Sequence, residues 1–181
     1  MPMGKRLAFL ACFFLIAALV ACDQRIKGDL LREGQIFPPL VLPGLDREPL
    51  PIDALRGKFV VLNVWATWCG PCRRELPAFE RLSQMFDPQK FVVIGMTVDT
   101  DRHVAREFLR EQGVSYANYI DVDGRISDDI LGVRVYPDTF LISPNGTLLR
   151  SISGERPWDS SEFIAGFQRA LQGDFTGLET L

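Results

Sequence analysis

The segment Phe59–Cys72, FVVLNVWATWCGPC, constrains the fold more than any other part of the chain. Phe59–Trp65 is a near-continuous apolar run rich in β-branched residues, the pattern of a strand covered on both faces. Trp68-Cys69-Gly70-Pro71-Cys72 follows almost at once. Leu76, Phe79, Leu82, Met85 and Phe86 then recur at helical spacing, so Pro71–Phe86 reads as a helix. Pro71 suits the first helical turn, where the missing N–H would have had no partner. A buried strand running through a Cys-x-x-Cys turn into a helix calls for a sheet with helices packed on it.

The remaining elements extend that plan. Leu40–Leu42 and Pro49–Ile52 read as a small hairpin, and Asp53–Gly57 as one helical turn closed by glycine. Phe91–Val98 is a second buried strand. Asp101 caps a helix running to about Gln112, with Gly113 as its stop. Tyr116–Ile120 is a weak strand, and Arg125–Leu131 a short helix ended by Gly132. Thr139–Ile142 and Leu148–Ser153 are joined by Ser-Pro-Asn-Gly and form a hairpin. Ser160 or Ser161 caps a last helix through Leu171. Alternation followed by a terminal hairpin gives an α/β class with a mixed central sheet, flanked by helices and carrying an N-terminal β-hairpin and a strand–helix insertion. The divisions are 1–22 as a leader, 23–35 as a polar linker, 36–172 as the folded domain and 173–181 as a loose tail.

Composition narrows the function classes. A chain of 181 residues suits one domain plus an extra segment. The net charge is −3 with no basic cluster, which leaves no electrostatic footprint for nucleic acid. The single histidine, His103, excludes a multi-histidine metal centre within one chain, and no metal is assigned. No second cysteine pair accompanies Cys69 and Cys72, so a zinc site lacks half its ligands.

Redox chemistry accounts for the motif. The thiolate is the nucleophile in disulfide exchange, and Cys69 stands at a helix N-terminus, where unpaired N–H groups and the macrodipole favour negative charge. Its pKa should fall from about 8.5 toward about 7. Two intervening residues let Cys72, one helical turn further in, reach Cys69. Cys69 therefore attacks a substrate disulfide and Cys72 resolves the mixed disulfide. Gly70 and Pro71 permit the tight approach to the helix, and Trp68 forms a partly exposed platform beside the cysteines, whereas Trp65 belongs to the core. Arg73 and Arg74 could favour the thiolate or simply form a solvated helix face. Asp99, Asp101 and Asp121–Gly124 are read as capping and turn residues, and His103 has no assigned role.

The N-terminus carries an address. Lys5 and Arg6 precede the apolar run Leu7–Val20, shorter than the about 20 residues of a full span and suited to a signal peptide. Leu19-Val20-Ala21-Cys22 resembles a bacterial lipobox. That resemblance implies lipidation of Cys22, loss of Cys12 with the signal, and retention at the inner membrane through Asp23. An uncleaved signal anchor is the alternative. Both place the domain on the periplasmic face of the inner membrane.

Asn63-Val-Trp-Ala-Thr-Trp-Cys-Gly-Pro-Cys-Arg-Arg-Glu75-Leu-Pro77 resembles the active-site segment of the thioredoxin superfamily, and in particular its envelope TlpA/ResA/DsbE-like branch. The likeness covers roughly residues 36–172 and implies a thioredoxin-like fold. It also implies that Tyr136–Pro137 is a cis peptide facing Cys69, where a substrate chain could pair beside Val135. Thioredoxins proper carry a buried aspartate where this chain has Asn63, so that proton acceptor is absent. In the ResA-like branch a glutamate at the place of Glu75 lies near the site. Glu75 has two readings: a partly buried carboxylate that shuttles the Cys72 proton, or a surface glutamate stabilised by the helix dipole.

The function implied is thiol-disulfide exchange on protein substrates. The expected direction is reduction of exported proteins, apocytochrome c included, with electrons from a membrane donor of the DsbD/CcdA kind. No cofactor beyond the Cys69–Cys72 disulfide is needed, and a monomer is expected. Two other classes compete. A peroxiredoxin-like thiol peroxidase shares the fold, yet Thr67 lies only two residues before Cys69. A Sco-like copper carrier needs three residues between its cysteines.

Overall fold

The computed structural model describes residues 31–178. The leader 1–22 with Cys22, the linker through residue 30 and residues 179–181 lie outside the described residues. Among the described residues no helix is long and apolar enough to cross a membrane.

Strand β3 (Phe59–Trp65) is the spine, buried at all seven positions. Full burial on both faces explains its unbroken apolar sequence. It pairs in parallel with β4 (Phe91–Thr97), with Trp65 opposite Thr97, and antiparallel with β6 (Asp138–Ile142), with Asn63 opposite Thr139. The sheet continues to β5 (Ala117–Ile120) beyond β4 and to β7 (Leu148–Ser153) beyond β6, in the order β5-β4-β3-β6-β7. The short hairpin β1 (Val41–Leu42) and β2 (Leu50–Pro51) stands apart as a two-stranded sheet.

Helices α1 (Gly70–Met85), α2 (Arg102–Glu111) and α3 (Ser161–Ala170) cover one face of the sheet. There Phe59, Val61 and Trp65 meet Leu76, Phe79, Leu109 and Phe167. The hairpin and a π-helical turn, Arg125–Ile130, cover the other face, against Val60, Leu62 and Val64. The alternation of β3 side chains between these two layers is the period-2 geometry of a strand. Asp101 caps α2 through His103 N and Val104 N, and Ser160 caps α3 through Phe163 N, as the cap chemistry predicts.

Two expected boundaries move. Residues 33–35, read as linker, are already part of the fold. Gly34 N donates to Leu148 O and Leu148 N to Gln35 O, each at 2.8 Å, so this segment covers the edge of β7. The tail is not loose as far as Leu178. Thr176–Leu178 form a 3-10 turn, Leu178 is 1% exposed in the helix-side core, and its carbonyl accepts from Arg150 Nη1 at 2.9 Å. Phe175 and Leu178 stand in a short stretch broken by Gly173 and Gly177, which gives no helical or strand periodicity to signal that docking.

Candidate active site

The site forms where β3 ends and α1 begins. Cys69 is the N-cap of α1, with extended backbone (φ −85°, ψ 105°), and its sulfur accepts from Cys72 N at 3.2 Å. Cys69 N closes the preceding turn by donating to Ala66 O. The two cysteines are joined as a disulfide, Cα to Cα 5.3 Å. Cys69 keeps 6% exposure while Cys72 has none. An incoming group therefore reaches only Cys69. The Cys72 N–H that points at its sulfur is one of the orphan donors of a helix N-terminus, which favour a thiolate there once the bond is reduced.

The loop carrying Trp68 and Cys69 is anchored from β4. The buried Asp99 carboxylate accepts from Thr67 N at 3.0 Å, from Thr67 Oγ1 at 2.7 Å and from Thr97 Oγ1 at 2.5 Å. Asp99 reads in sequence as a turn residue; its clamp on Thr67 depends on the adjacent ends of β3 and β4. Trp68 is 66% exposed and meets the Tyr136 ring edge to face, centroids 5.6 Å apart. Tyr136–Pro137 is cis and Val135 is exposed beside it. Tyr136 Oη donates to Asp128 Oδ1 at 3.3 Å, which ties this loop to the π-helical turn. The structure thus brings Trp68, Cys69, Gly70, Pro71, Cys72, Tyr136 and Pro137 into one region.

Glu75 is buried, 2% exposed, which removes the surface reading. It lies three residues after Cys72 on α1, hence on the same helix face. Asn63 Nδ2 donates to Oε1 at 2.7 Å and Trp158 Nε1 to Oε2 at 2.8 Å. Asn63 is itself fixed by a second bond, Nδ2 to Thr139 Oγ1 at 3.1 Å. Burial pushes the Glu75 carboxyl from 4.5 up to about 7. The bonds from Trp158, Asn63 and the Arg156 main chain oppose the rise, and the nearby Glu155 charge adds to it. A carboxyl in that range can take and return a proton at neutral pH. Nothing local to Glu75 points to Trp158, which stands eighty-three residues along the chain from it.

Both arginines after Cys72 are engaged elsewhere. Arg74 pairs with Glu155 at 2.6 Å, and Arg73 lies over the Phe108 ring, 5.2 Å from its centroid. Trp65 is fully buried, and its indole N–H donates to Asn118 Oδ1 at 2.9 Å. Asp121 accepts from Ile126 N and Ser127 N and so caps the π-helical turn. Among the described residues no group of three or more His, Cys, Asp or Glu could hold a metal.

This geometry has counterparts among known proteins. The family model for the AhpC/TSA family matches residues 34–151. The thiol-disulfide oxidoreductase ResA of Bacillus subtilis is 28% identical over 156 residues, covering 83% of this chain and 87% of that protein. ResA of Halalkalibacterium halodurans is 32% identical over 125 residues, covering 69% and 70%. A crystal structure of a thiol:disulfide interchange protein DsbE from Chlorobium tepidum superposes with a TM-score of 0.71 at 29% identity, covering 78% of this chain and 99% of that one.

Proposed function

The chain belongs to the AhpC/TSA family and is a thiol-disulfide oxidoreductase of the ResA and DsbE type; from that premise we propose that it reduces disulfides of exported proteins at the outer face of the bacterial inner membrane. The observation that carries the site assignment is the Cys69–Cys72 disulfide at the α1 N-terminus, with Cys69 alone reachable and a buried ionisable carboxyl one turn beyond Cys72.

In the reduced protein the Cys69 thiolate attacks one sulfur of a substrate disulfide, and the substrate's other sulfur leaves as a thiolate. Cys72 then attacks Cys69. As it does so its proton passes to Glu75, the protein disulfide forms and the second substrate sulfur leaves. The substrate gains two electrons and the protein dithiol loses two. The exposed ring of Trp68 and the Val135–Pro137 backbone hold the substrate segment, the latter as an added strand. The haem-binding cysteines of apocytochrome c are the substrate favoured by the ResA-like site. A membrane thiol relay of the DsbD/CcdA kind restores the dithiol, and lipid on Cys22 keeps the domain beside it.

The Cys69–Cys72 reduction potential tests the direction. The measurement is equilibration of the domain following Cys22 with defined thiol buffers. A value near about −250 mV supports a reductase, and a value near about −120 mV reverses the flow of electrons. Mass spectrometry of the mature protein tests the anchor. A lipid-modified Cys22 at the N-terminus supports it, and an intact Met1 refutes cleavage.

A further inference from the structure

Each oxygen of the Glu75 carboxyl is held by a side-chain donor, and these two side chains come from distant parts of the chain. Asn63 lies on β3, and Trp158 lies in the turn between β7 and α3. Trp158 is fully buried. Its ring stacks on Phe79 (centroids 5.1 Å apart) and packs against Phe163 (4.8 Å), so the indole N–H has one direction only. Ion pairs fasten the Trp158 turn to α1 on either side: Arg74 with Glu155 at 2.6 Å, and Arg81 with Asp159 at 2.7 Å. Between the turn and α1 lies a cleft of about 400 Å³, bordered by those two pairs, by Ala78 and by Glu75 itself. Neither cysteine borders it.

We propose that Trp158 is a positioning residue for the exchange reaction, holding the Glu75 carboxyl between Cys72 and this cleft, which serves as the proton outlet of the resolving step. This rests on Glu75 being the proton acceptor of Cys72. When Cys72 attacks Cys69, a substrate lies over Trp68 and Cys69 and covers that side. The proton taken by Glu75 leaves on the flank of α1, where the substrate does not reach. A carboxyl free to turn would lose its alignment with Cys72. Two N–H bonds at fixed ends prevent that turn and favour the ionised, accepting form.

The groups facing Glu75 are few. Its own helix places Cys72 one turn back on the same face, and β3 supplies Asn63, backed by Thr139 of β6. Tyr116, just before β5, is buried with its hydroxyl unpartnered among the described residues, and its own proton is held more tightly through burial and then through the Glu75 charge. The β7–α3 turn supplies Glu155, the Arg156 main chain and Trp158. Of these, only Trp158 donates to Oε2 from a side chain that can be changed without altering a charge.

The test is stopped-flow oxidation of the reduced protein by a peptide disulfide between about pH 5 and pH 9, following the resolving step. Trp158→Phe keeps an aromatic ring against Phe79 and Phe163 and removes the donor. Loss of a hydrogen bond to a charged acceptor should move the pH midpoint up by about one unit, which slows the step about fivefold at pH 7. In a Glu75→Gln background Trp158→Phe should leave the profile unchanged. A midpoint unmoved by Trp158→Phe but abolished by Glu75→Gln overturns the role of Trp158 and leaves that of Glu75 standing. A midpoint that survives Glu75→Gln overturns both. Should Trp158→Phe fail to fold, the indole N–H resonance of Trp158 in the reduced natural protein decides the matter. It should titrate with the kinetic midpoint, and a pH-invariant resonance refutes the contact.

Discussion

Replacing Glu75 with glutamine separates a buried ionisable group from a merely polar one, and stability reads the difference. Burial raises the Glu75 carboxyl from 4.5 to about 7 in the folded protein, while in the unfolded chain it keeps its ordinary value. Between those two pH values the folded state holds a proton that the unfolded state has released. Linkage then makes the group's contribution fully present below about pH 4.5 and lost as pH rises to about 7. At about 1.4 kcal/mol per pH unit the whole change is about 3 kcal/mol. Glutamine has no such dependence. It carries instead a constant cost of about 1–3 kcal/mol, because its amide nitrogen must face either the Asn63 amide or the Trp158 indole, donor against donor. All other titrating groups are common to both proteins and cancel in the comparison. The assay is urea unfolding of the disulfide form of each protein at several values between about pH 4 and pH 8. The stability of Glu75→Gln relative to the natural protein should climb by about 3 kcal/mol across that range, most steeply between about pH 4.5 and pH 7. A difference that stays flat with pH would refute the burial argument outright. It would mean that Glu75 reaches solvent well enough to keep an ordinary carboxylate pKa.

Other perturbations test other contacts. Cys72→Ser leaves the reachable sulfur of Cys69 and removes the one that resolves, so a mixed disulfide with substrate should accumulate and be seen by mass spectrometry. Cys69→Ser should give no adduct, because Cys72 is fully buried; adduct formation would contradict the assigned order of attack. Asp99→Ala strips the partner from the Thr67 N–H and from the Thr67 and Thr97 hydroxyls. It should cost about 3 kcal/mol and lower Tm by about 10 °C, and an unchanged melting curve would show that the clamp is not needed. Gly95→Ala puts a Cβ into Asn118 Oδ1 and forces that side chain off the Trp65 indole. A loss of about 2–3 kcal/mol in urea unfolding is expected, and a neutral result would mean that Asn118 yields freely.

How much of this was legible in the chain follows from how local each cause is. The span Phe59–Trp65 was readable to the residue, because burial on both faces leaves an unbroken apolar run bounded by a lysine and a turn. The place of Cys69 at the helix N-terminus was readable because Pro71 suits a first helical turn, although the helix begins one residue earlier, at Gly70. The start of the domain was less clear, since Gly34 and Gln35 bond to β7 through main-chain groups that any residue supplies. The surroundings of Glu75 were not readable at all. Its two side-chain donors lie on β3 and beyond β7, and neither position has a spacing that refers to α1. The same holds for Arg74, whose partner Glu155 is reached only once the terminal hairpin and α3 are in place.

Glu75 also shows which of two opposed local forces prevails. A glutamate in the first turns of a helix gains from the macrodipole, which favours its ionised form by about 0.3–1 kcal/mol near an exposed N-terminus. On that ground alone its pKa should fall. Burial acts the other way, and it wins by a margin large enough to carry the carboxyl up to about 7 even with donors from Asn63, Trp158 and the Arg156 main chain pulling down. The dipole is a property of the helix and can be read from sequence. The desolvation comes from Trp158, Asn63 and the packed sheet behind them, and exists only in the folded chain. The carboxyl that can exchange a proton at neutral pH is therefore a product of tertiary packing laid over a helical position that would otherwise favour a permanent anion. Its proton affinity should return toward the ordinary range in any variant that opens the Trp158 turn to water.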